Sequence, residues 1–386
     1  MGGAVAATLF YLLRVPYARN VEFADAPILP NEADVGMVFA AEVLTYRVFA
    51  AVRSLLGLFL PNPGGLTPIV LTSCLSGGVF VAAMTALARS AGRFPIERWT
   101  LWCGATLGGY TGMFFGYVET TQVELAAMAV YFAAAARAVR HSADDQHTRW
   151  LVVALVALSI ALQAHAAGIL LLPSAIVLLA PQLARPKPSF GDTAPRRLLW
   201  RNVGLAAVLV VLPYLLAVVL PFYAQSEFGN MLGGGDGIMF VPWRVDPAHP
   251  PSRYVYYALF SPMHLADLAS TFLVAAPLAL PLCVWAGWRL VRSRTRLSDR
   301  DRRWLLLLAA AAGPCLVVPL AWNHDLGMWG DWNLATCYLF PLNLLAWSLL
   351  VATPRLREPA CSRGGTVARL VAIQVALALG LLLQLW

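Results

Sequence analysis

Four carboxylates, Glu22, Asp25, Glu32 and Asp34, follow the first apolar segment within one stretch of the chain. A carboxylate held within hydrogen-bond reach of a hydroxyl can take its proton, so each is a candidate general base. A solvated loop explains any one of them equally simply. Their order spells no metal cage, and a divalent cation is left open as a cofactor. Next come Glu119, directly after Gly116-Tyr117-Val118, and Glu124, one turn and a bit further on in an apolar run. The helix dipole alone can account for an acid at a helix start. An acid inside a membrane segment is costly, and by default it marks function. Tyr117 and Glu119 are therefore read as lining a polar site, with Glu124 ranked after them.

Other polar residues stand at comparable junctions. His165 lies in Gln163-Ala164-His165-Ala166-Ala167-Gly168, where a neutral imidazole can hydrogen-bond a phosphate or a carboxylate. Neighbouring backbone would satisfy it just as well. A late polar loop contributes His324, Asp325 and Asp331, the last opening a helix with Trp332 and Asn333. His264 and Asp267 are three apart and share a helical face. Arg244 and Arg253 are rare cations among these acids and suit a phosphate or pyrophosphate, although pairing with loop acids is the plainer reading. Gly233-Gly234-Gly235-Asp236-Gly237 lacks the Lys-Ser/Thr of a nucleotide loop and reads as a mobile turn.

The elements that must hold these residues are membrane helices. The chain is 59% hydrophobic and 12% charged, against about 25% charged residues in a soluble domain. Stretches 89–98, 137–149, 185–201, 289–303 and 355–369 hold 22 of the 28 Lys and Arg. The alternate stretches hold 13 of the 20 Asp and Glu. Basic loops stay in the cytoplasm, so the acids gather on the outer face. That asymmetry explains the net charge of +8 without nucleic acid. The Cys residues have no metal spacing and sit mainly in or beside apolar runs as small hydrophobes.

The pattern predicts an all-α, polytopic bundle of about eleven spans, forming one integral membrane domain over residues 1–386. The spans are 2–14, 66–89, 99–116, 119–138, 150–164, 166–183, 202–222, 264–288, 304–322, 332–352 and 370–386. Outer loops are expected at 15–65, 223–263 and 323–331. Within the first, Val35–Leu60, carrying Glu42, Arg47 and Arg53, reads as one amphipathic helix lying in the membrane interface. The first span is short, so either Arg14 and Tyr17 snorkel or the true start lies upstream. This topology puts the N-terminus in the cytoplasm and the C-terminus outside.

Taken in order, these elements resemble the GT-C superfamily of integral-membrane glycosyltransferases. The resemblance rests on the first span with its acidic outer loop, the Gly116-Tyr117-Val118-Glu119 turn, the paired helices broken at His165 before Leu171-Leu172-Pro173, and Asp331-Trp332-Asn333. It implies sugar transfer from a polyprenyl-phosphate donor on the non-cytoplasmic face, as in mannosyltransferases, with the lipid bilayer and the lipid-linked donor as partners. It also implies a bacterial inner (plasma) membrane location. The family's catalytic acid maps to Asp25, with Glu22 and Asp34 as rivals. Some bacterial members carry Asp-Trp-Asp where this chain has Asp331-Trp332-Asn333. A transporter or flippase of a lipid-linked substrate, or a non-catalytic membrane subunit, is the alternative. The former would require repeats and midplane-broken helices, and the sequence shows no repeat.

Overall fold

In a bilayer, backbone polar groups are satisfied inside the chain, which leaves helices as one of two solutions. The computed structural model describes residues 2–14, 28–36, 38–141, 146–180, 194–223, 240–244, 258–293, 297–322, 332–353 and 363–384. These residues are helical almost throughout, apart from one isolated bridge between Phe240 and Trp322. The first helices are α1 (Gly2–Leu12), α2 (Leu29–Val35), α3 (Val43–Gly57), α4 (Leu66–Ala91) and α5 (Pro95–Thr106). They are followed by α6 (Thr121–Arg140), α7 (Gln146–Ala164), α8 (Leu172–Leu179), α9 (194–223) and α10 (Pro262–Ala275). The rest are α11 (Ala279–Arg292), α12 (Asp299–Cys315), α13 (Val317–Ala321), α14 (Trp332–Ala352) and α15 (Arg363–Gln384).

This is an integral membrane protein. Among the described residues, five helices are long and apolar enough to cross a bilayer, and the α10–α11 pair makes a sixth if it counts as one span. The regions 2–12, 166–179, 337–352 and 367–377 are shorter apolar helices. Burial ranks the spans. In α6, 83% of the apolar window is buried, so α6 is the central post. In α9 only 17% is buried, so that helix turns most of its surface outward.

Two of the expected spans are broken, and the breaks interlock. The stretch read as one span over 99–116 is the short α5 followed by a 3-10 turn, Gly109–Phe114. The stretch 264–288 is two helices meeting at 80°. Pro277 explains the second break, because the residue before a proline is pushed out of helical geometry. The bend presents carbonyls directly to the first break. A Cβ on Gly109 would lie 2.0 Å from the Val274 oxygen, so only glycine fits there. Below this contact, the last turn of α5 leaves carbonyls without helical partners. The Gly104 oxygen accepts Asn343 Nδ2 from α14 and Gln374 Nε2 from α15, each at 2.8 Å. Trp347 Nε1 then reaches Asn343 Oδ1 at 3.1 Å and Gln374 Oε1 at 3.0 Å.

The Val35–Leu60 segment is not one helix. Helix α2 ends at Val35 because Gly36 takes a left-handed cap with φ 72°. Phe39 is extended, and a 3-10 turn, Ala40–Glu42, leads into α3. One face of α3 buries Tyr46 and Phe49 against Ile69 and Val70 of α4.

At the basic end of the bundle, the charges close helix ends. Glu97 accepts the backbone N–H of Arg93 at 2.7 Å and of Phe94 at 3.4 Å. Arg300 donates to the Ser90 and Ala91 carbonyls at 2.5 and 2.8 Å. Arg93 pairs with Asp301.

Candidate active site

The site is built where α3, α6, α7 and α14 meet. Ahead of α6 the chain turns at Gly116, whose φ is 83°. Ser73 of α4 fixes this turn, accepting the Gly116 N–H at 3.1 Å and donating to the Met113 carbonyl at 2.7 Å. Gln122 Nε2 donates to the Tyr117 carbonyl at 2.7 Å. Glu119 and Thr120 are thereby held just before the helix, both buried. Glu119 Oε1 accepts the Thr120 N–H at 3.0 Å, and Thr120 Oγ1 donates to Glu42 Oε1 at 2.6 Å. Thr45 of α3 donates to the Ala164 carbonyl at 3.1 Å and lies 3.4 Å from that of Thr120, which ties α3 to both chain breaks.

Helix α7 stops at Ala164, and His165 is extended. His165 Nδ1 accepts the Ala167 N–H at 3.2 Å. A neutral imidazole that accepts at Nδ1 carries its proton on Nε2. Nε2 lies 3.6 Å from Glu42 Oε1. Burial pushes the pKa of His165 down to about 4, so at neutral pH it is an uncharged donor.

Glu124 lies further in on α6 and is fully buried. Its partners come from α14. Tyr338 Oη donates to Oε1 at 2.5 Å, and Cys337 Sγ lies 3.9 Å from Oε2. Tyr338 Oη is also 3.3 Å from His165 Nδ1, and Glu124 Oε2 is 4.0 Å from the same nitrogen. The tyrosine thus has one proton and two acceptors. The result is an inward file of groups: Glu42, His165, Tyr338, Glu124.

An apolar groove of about 260 Å³ runs between α3, α4, α6 and α7, lined by Val48, Thr72, Ser76, Val123, Ala127 and Ala157 among others. The groove shares helices α3, α6 and α7 with the polar file, although its lining is apolar apart from Thr72 and Ser76. Among the described residues, no group of three or more His, Cys, Asp or Glu is placed to hold a metal ion.

Of the residues singled out from the sequence, Glu119 and His165 meet in this cluster through Thr120 and Glu42. Tyr117 is buried and contributes its carbonyl to the turn. Asp34 instead pairs with Arg53 at 2.9 Å, and Glu32 accepts the Tyr46 hydroxyl at 2.8 Å, both within the α2–α3 hairpin. His264 is at the head of α10, with Nδ1 2.7 Å from the Leu259 carbonyl. Arg244 is exposed in the short segment 240–244. Glu22, Asp25, Arg253, His324, Asp325 and Asp331 lie outside the described residues. The sequence reading noted Glu42 only as part of a helix face, and Tyr338 and Cys337 not as site residues at all.

No family model matches the sequence, and no curated protein matches it. Solved structures do. The chain aligns with the apo crystal structure of ArnT from Cupriavidus metallidurans over 94% of its length and 62% of that chain, at TM-score 0.53 and 17% identity. It has a GT-C-like fold. The structure of ArnT bound to undecaprenyl phosphate aligns over 98% of this chain and 70% of that one, at TM-score 0.51 and 16% identity. The S. cerevisiae protein O-mannosyltransferase Pmt1–Pmt2 complex bound to the sugar donor aligns over 62% of this chain and 35% of that one, at TM-score 0.41 and 14% identity. The chain therefore spans about a third of that mannosyltransferase chain and under two thirds of apo ArnT.

Proposed function

We propose that this chain is a glycosyltransferase that moves a sugar from a polyprenyl-phosphate donor to a hydroxyl of a lipid, glycan or protein on the non-cytoplasmic face. The observation that carries the reading is the file of carboxylates and imidazole in a bundle whose helices α3, α4, α6 and α7 also wall an apolar groove. A lipid-linked sugar presents the same two halves, a polar head and an isoprenoid tail. The ArnT structure bound to undecaprenyl phosphate supports a donor of this class.

The acceptor oxygen attacks the anomeric carbon, and the bond from that carbon to phosphate oxygen breaks. Polyprenyl phosphate leaves with the electron pair, and a carboxylate takes the acceptor's proton. We assign that base to Asp25, with Glu22 and Asp34 as rivals. Asp34 is engaged by Arg53, which favours Asp25. Glu119 and Glu42 suit sugar hydroxyls, which donate to carboxylates. The Nε2–H of His165 can donate to a phosphate or sugar oxygen without adding charge. Arg244 and Arg253 are assigned to the phosphate as cations, and His324, Asp325 and Asp331 are assigned to substrate binding. Tyr338 and Glu124 act as positioning residues behind His165. In this reading the protein is one domain of eleven spans with α3 in the membrane interface, its N-terminus is cytoplasmic, and it resides in a bacterial inner membrane.

The test is turnover of a polyprenyl-phosphate sugar by membranes containing the chain. A general base contributes about 10²- to 10⁴-fold, so Asp25→Asn should abolish turnover at unchanged expression, while Glu22→Gln and Glu32→Gln keep most of it. Full activity in Asp25→Asn, Glu22→Gln, Glu32→Gln and Asp34→Asn alike would refute the reading. For the topology, a single Cys at Ser226 should react with an external thiol reagent and one at Ser189 should not.

A further inference from the structure

At the opposite end of the bundle, two cavities adjoin, and neither belongs to the proposed transfer site. One, of about 410 Å³, is lined by Thr85, Arg89, Pro95, Arg98, Trp99 and Trp102 among others. The other, of about 720 Å³, runs between α5 and α15 and is lined by apolar side chains such as Ile96, Val371 and Val375. Both are walled by Trp99, which is 63% exposed. Both helices start at this end and run together toward the other, so the apolar groove leads away from the basic cavity into the depth of the bilayer.

The basic cavity has the groups that recognise a lipid phosphate. Arg89 and Arg98 are exposed, and among the described residues neither pairs with a carboxylate. Arg98 commits Nε to the Gly92 carbonyl at 3.2 Å and one terminal nitrogen to that of Arg93 at 3.3 Å, which holds its head in place, and among the described residues its other terminal nitrogen has no hydrogen-bond partner. Trp102 is held by its indole N–H on Thr85 at 3.0 Å, and Trp99 stands edge-on to it with centroids 5.8 Å apart. Guanidinium groups bind phosphate oxygens in a fork, indole rings sit at the headgroup level, and basic pockets between membrane helices hold anionic headgroups.

We propose that this pair of cavities is a binding site for one anionic phospholipid of the basic-side leaflet. Its phosphate lies between Arg89 and Arg98, and an acyl chain occupies the α5–α15 groove. The proposal stands whether or not the chain is a glycosyltransferase. The site is a bound-lipid position on the scaffold, distinct in charge and place from the acid-lined end.

The experiment is native mass spectrometry of the full, detergent-purified and delipidated chain titrated with dioleoyl phosphatidylglycerol, dioleoyl phosphatidylcholine or undecaprenyl phosphate. One phosphatidylglycerol should bind at least tenfold more tightly than phosphatidylcholine. Arg89→Gln removes a charge-assisted contact and should weaken it by about fivefold to tenfold, as should Trp99→Leu. Arg292→Gln, a surface cation of the same end outside the groove, should leave it unchanged. Arg89 is exposed, so its variant keeps the fold; a thermal midpoint checks Trp99→Leu, and if that variant is destabilised the Arg89 and Arg292 pair decides alone. Equal binding of phosphatidylcholine, equal loss in Arg89→Gln and Arg292→Gln, or Arg89-dependent retention of undecaprenyl phosphate in place of phosphatidylglycerol would each overturn the proposal.

Discussion

The two ends of this bundle spend their charges differently. At the basic end, apart from the Arg93–Asp301 pair, the charges serve backbone: Arg300 takes the Ser90 and Ala91 carbonyls, and Glu97 takes the N–H groups ahead of α5. At the acidic end, side chains meet side chains. Glu42 receives Thr120, Glu124 receives Tyr338, and the proton of Tyr338 is contested by His165. Charges that cap helix ends hold a fold together. Carboxylates and an imidazole arranged along a file can be redirected by a ligand. The contrast teaches where stability and where chemistry should reside.

The sharpest way to break that contrast is Tyr338→Phe. It removes a hydroxyl shared by Glu124 and His165, a contact worth about 1.5–3 kcal/mol. We expect about a tenfold to hundredfold loss of turnover at unchanged substrate KM, together with a lower thermal midpoint from the acceptors left without their donor. A variant of normal activity but low stability would show that the file is merely structural. Arg300→Gln is the mirror experiment. It leaves two helix-end carbonyls without their donor and should cost about 1–3 kcal/mol of stability, read as a lower thermal midpoint, with kcat unchanged.

The third test uses acid. The pKa of His165 is pushed down to about 4 from its ordinary 6.5. Between those values an unfolded chain binds a proton that the folded site refuses, so its contribution to stability is complete above pH 6.5 and is lost as pH falls toward 4. The thermal midpoint of wild type relative to His165→Asn should therefore shrink over that window; a gap that widens on acidification would contradict burial as the cause. The smallest effect is expected from Asp34→Asn. Its pair with Arg53 is partly exposed, and such pairs contribute about 0–1 kcal/mol. Turnover and thermal midpoint should both stay near wild type.

How much of this was legible in the sequence follows from range. The break at His165 could be read, because both ends of the 150–183 run are basic and must return to one side. The Gly116–Glu119 turn could be read from local residue types. The bend in 264–288 had a local signal as well, Pro277, but its apolar neighbours made one continuous span look natural. Gly108-Gly109 likewise marked the end of α5, yet the reason for it, the Val274 carbonyl, comes from a helix far along the chain. Gly36 ended α2 where amphipathic spacing ran straight through. Tyr338 was invisible for a different reason. It lies 214 residues from Glu124, and a tyrosine in an apolar helix carries no mark of the partner it meets. Glu42 looked like the polar face of a surface helix because Thr120 and His165 come to it only when three segments converge.

The Gly104 carbonyl, gripped by Asn343 and Gln374, has a meaning in time as well as in space. A chain is made from its N-terminus, so α5 and α14 reach the membrane before α15. Until α15 arrives, Trp347 lacks the Gln374 oxygen that shares its indole proton, and the Gly104 oxygen lacks its second donor. Asn343 still serves both groups, but the second lone pair of the Gly104 oxygen is left without a donor, which hydrocarbon tolerates poorly. The half-assembled bundle thus carries a small polar flaw that only the later helix can erase. Inserting α15 acts as the closing of a latch, and an interrupted chain would display that flaw to whatever surveys the bilayer for incomplete proteins.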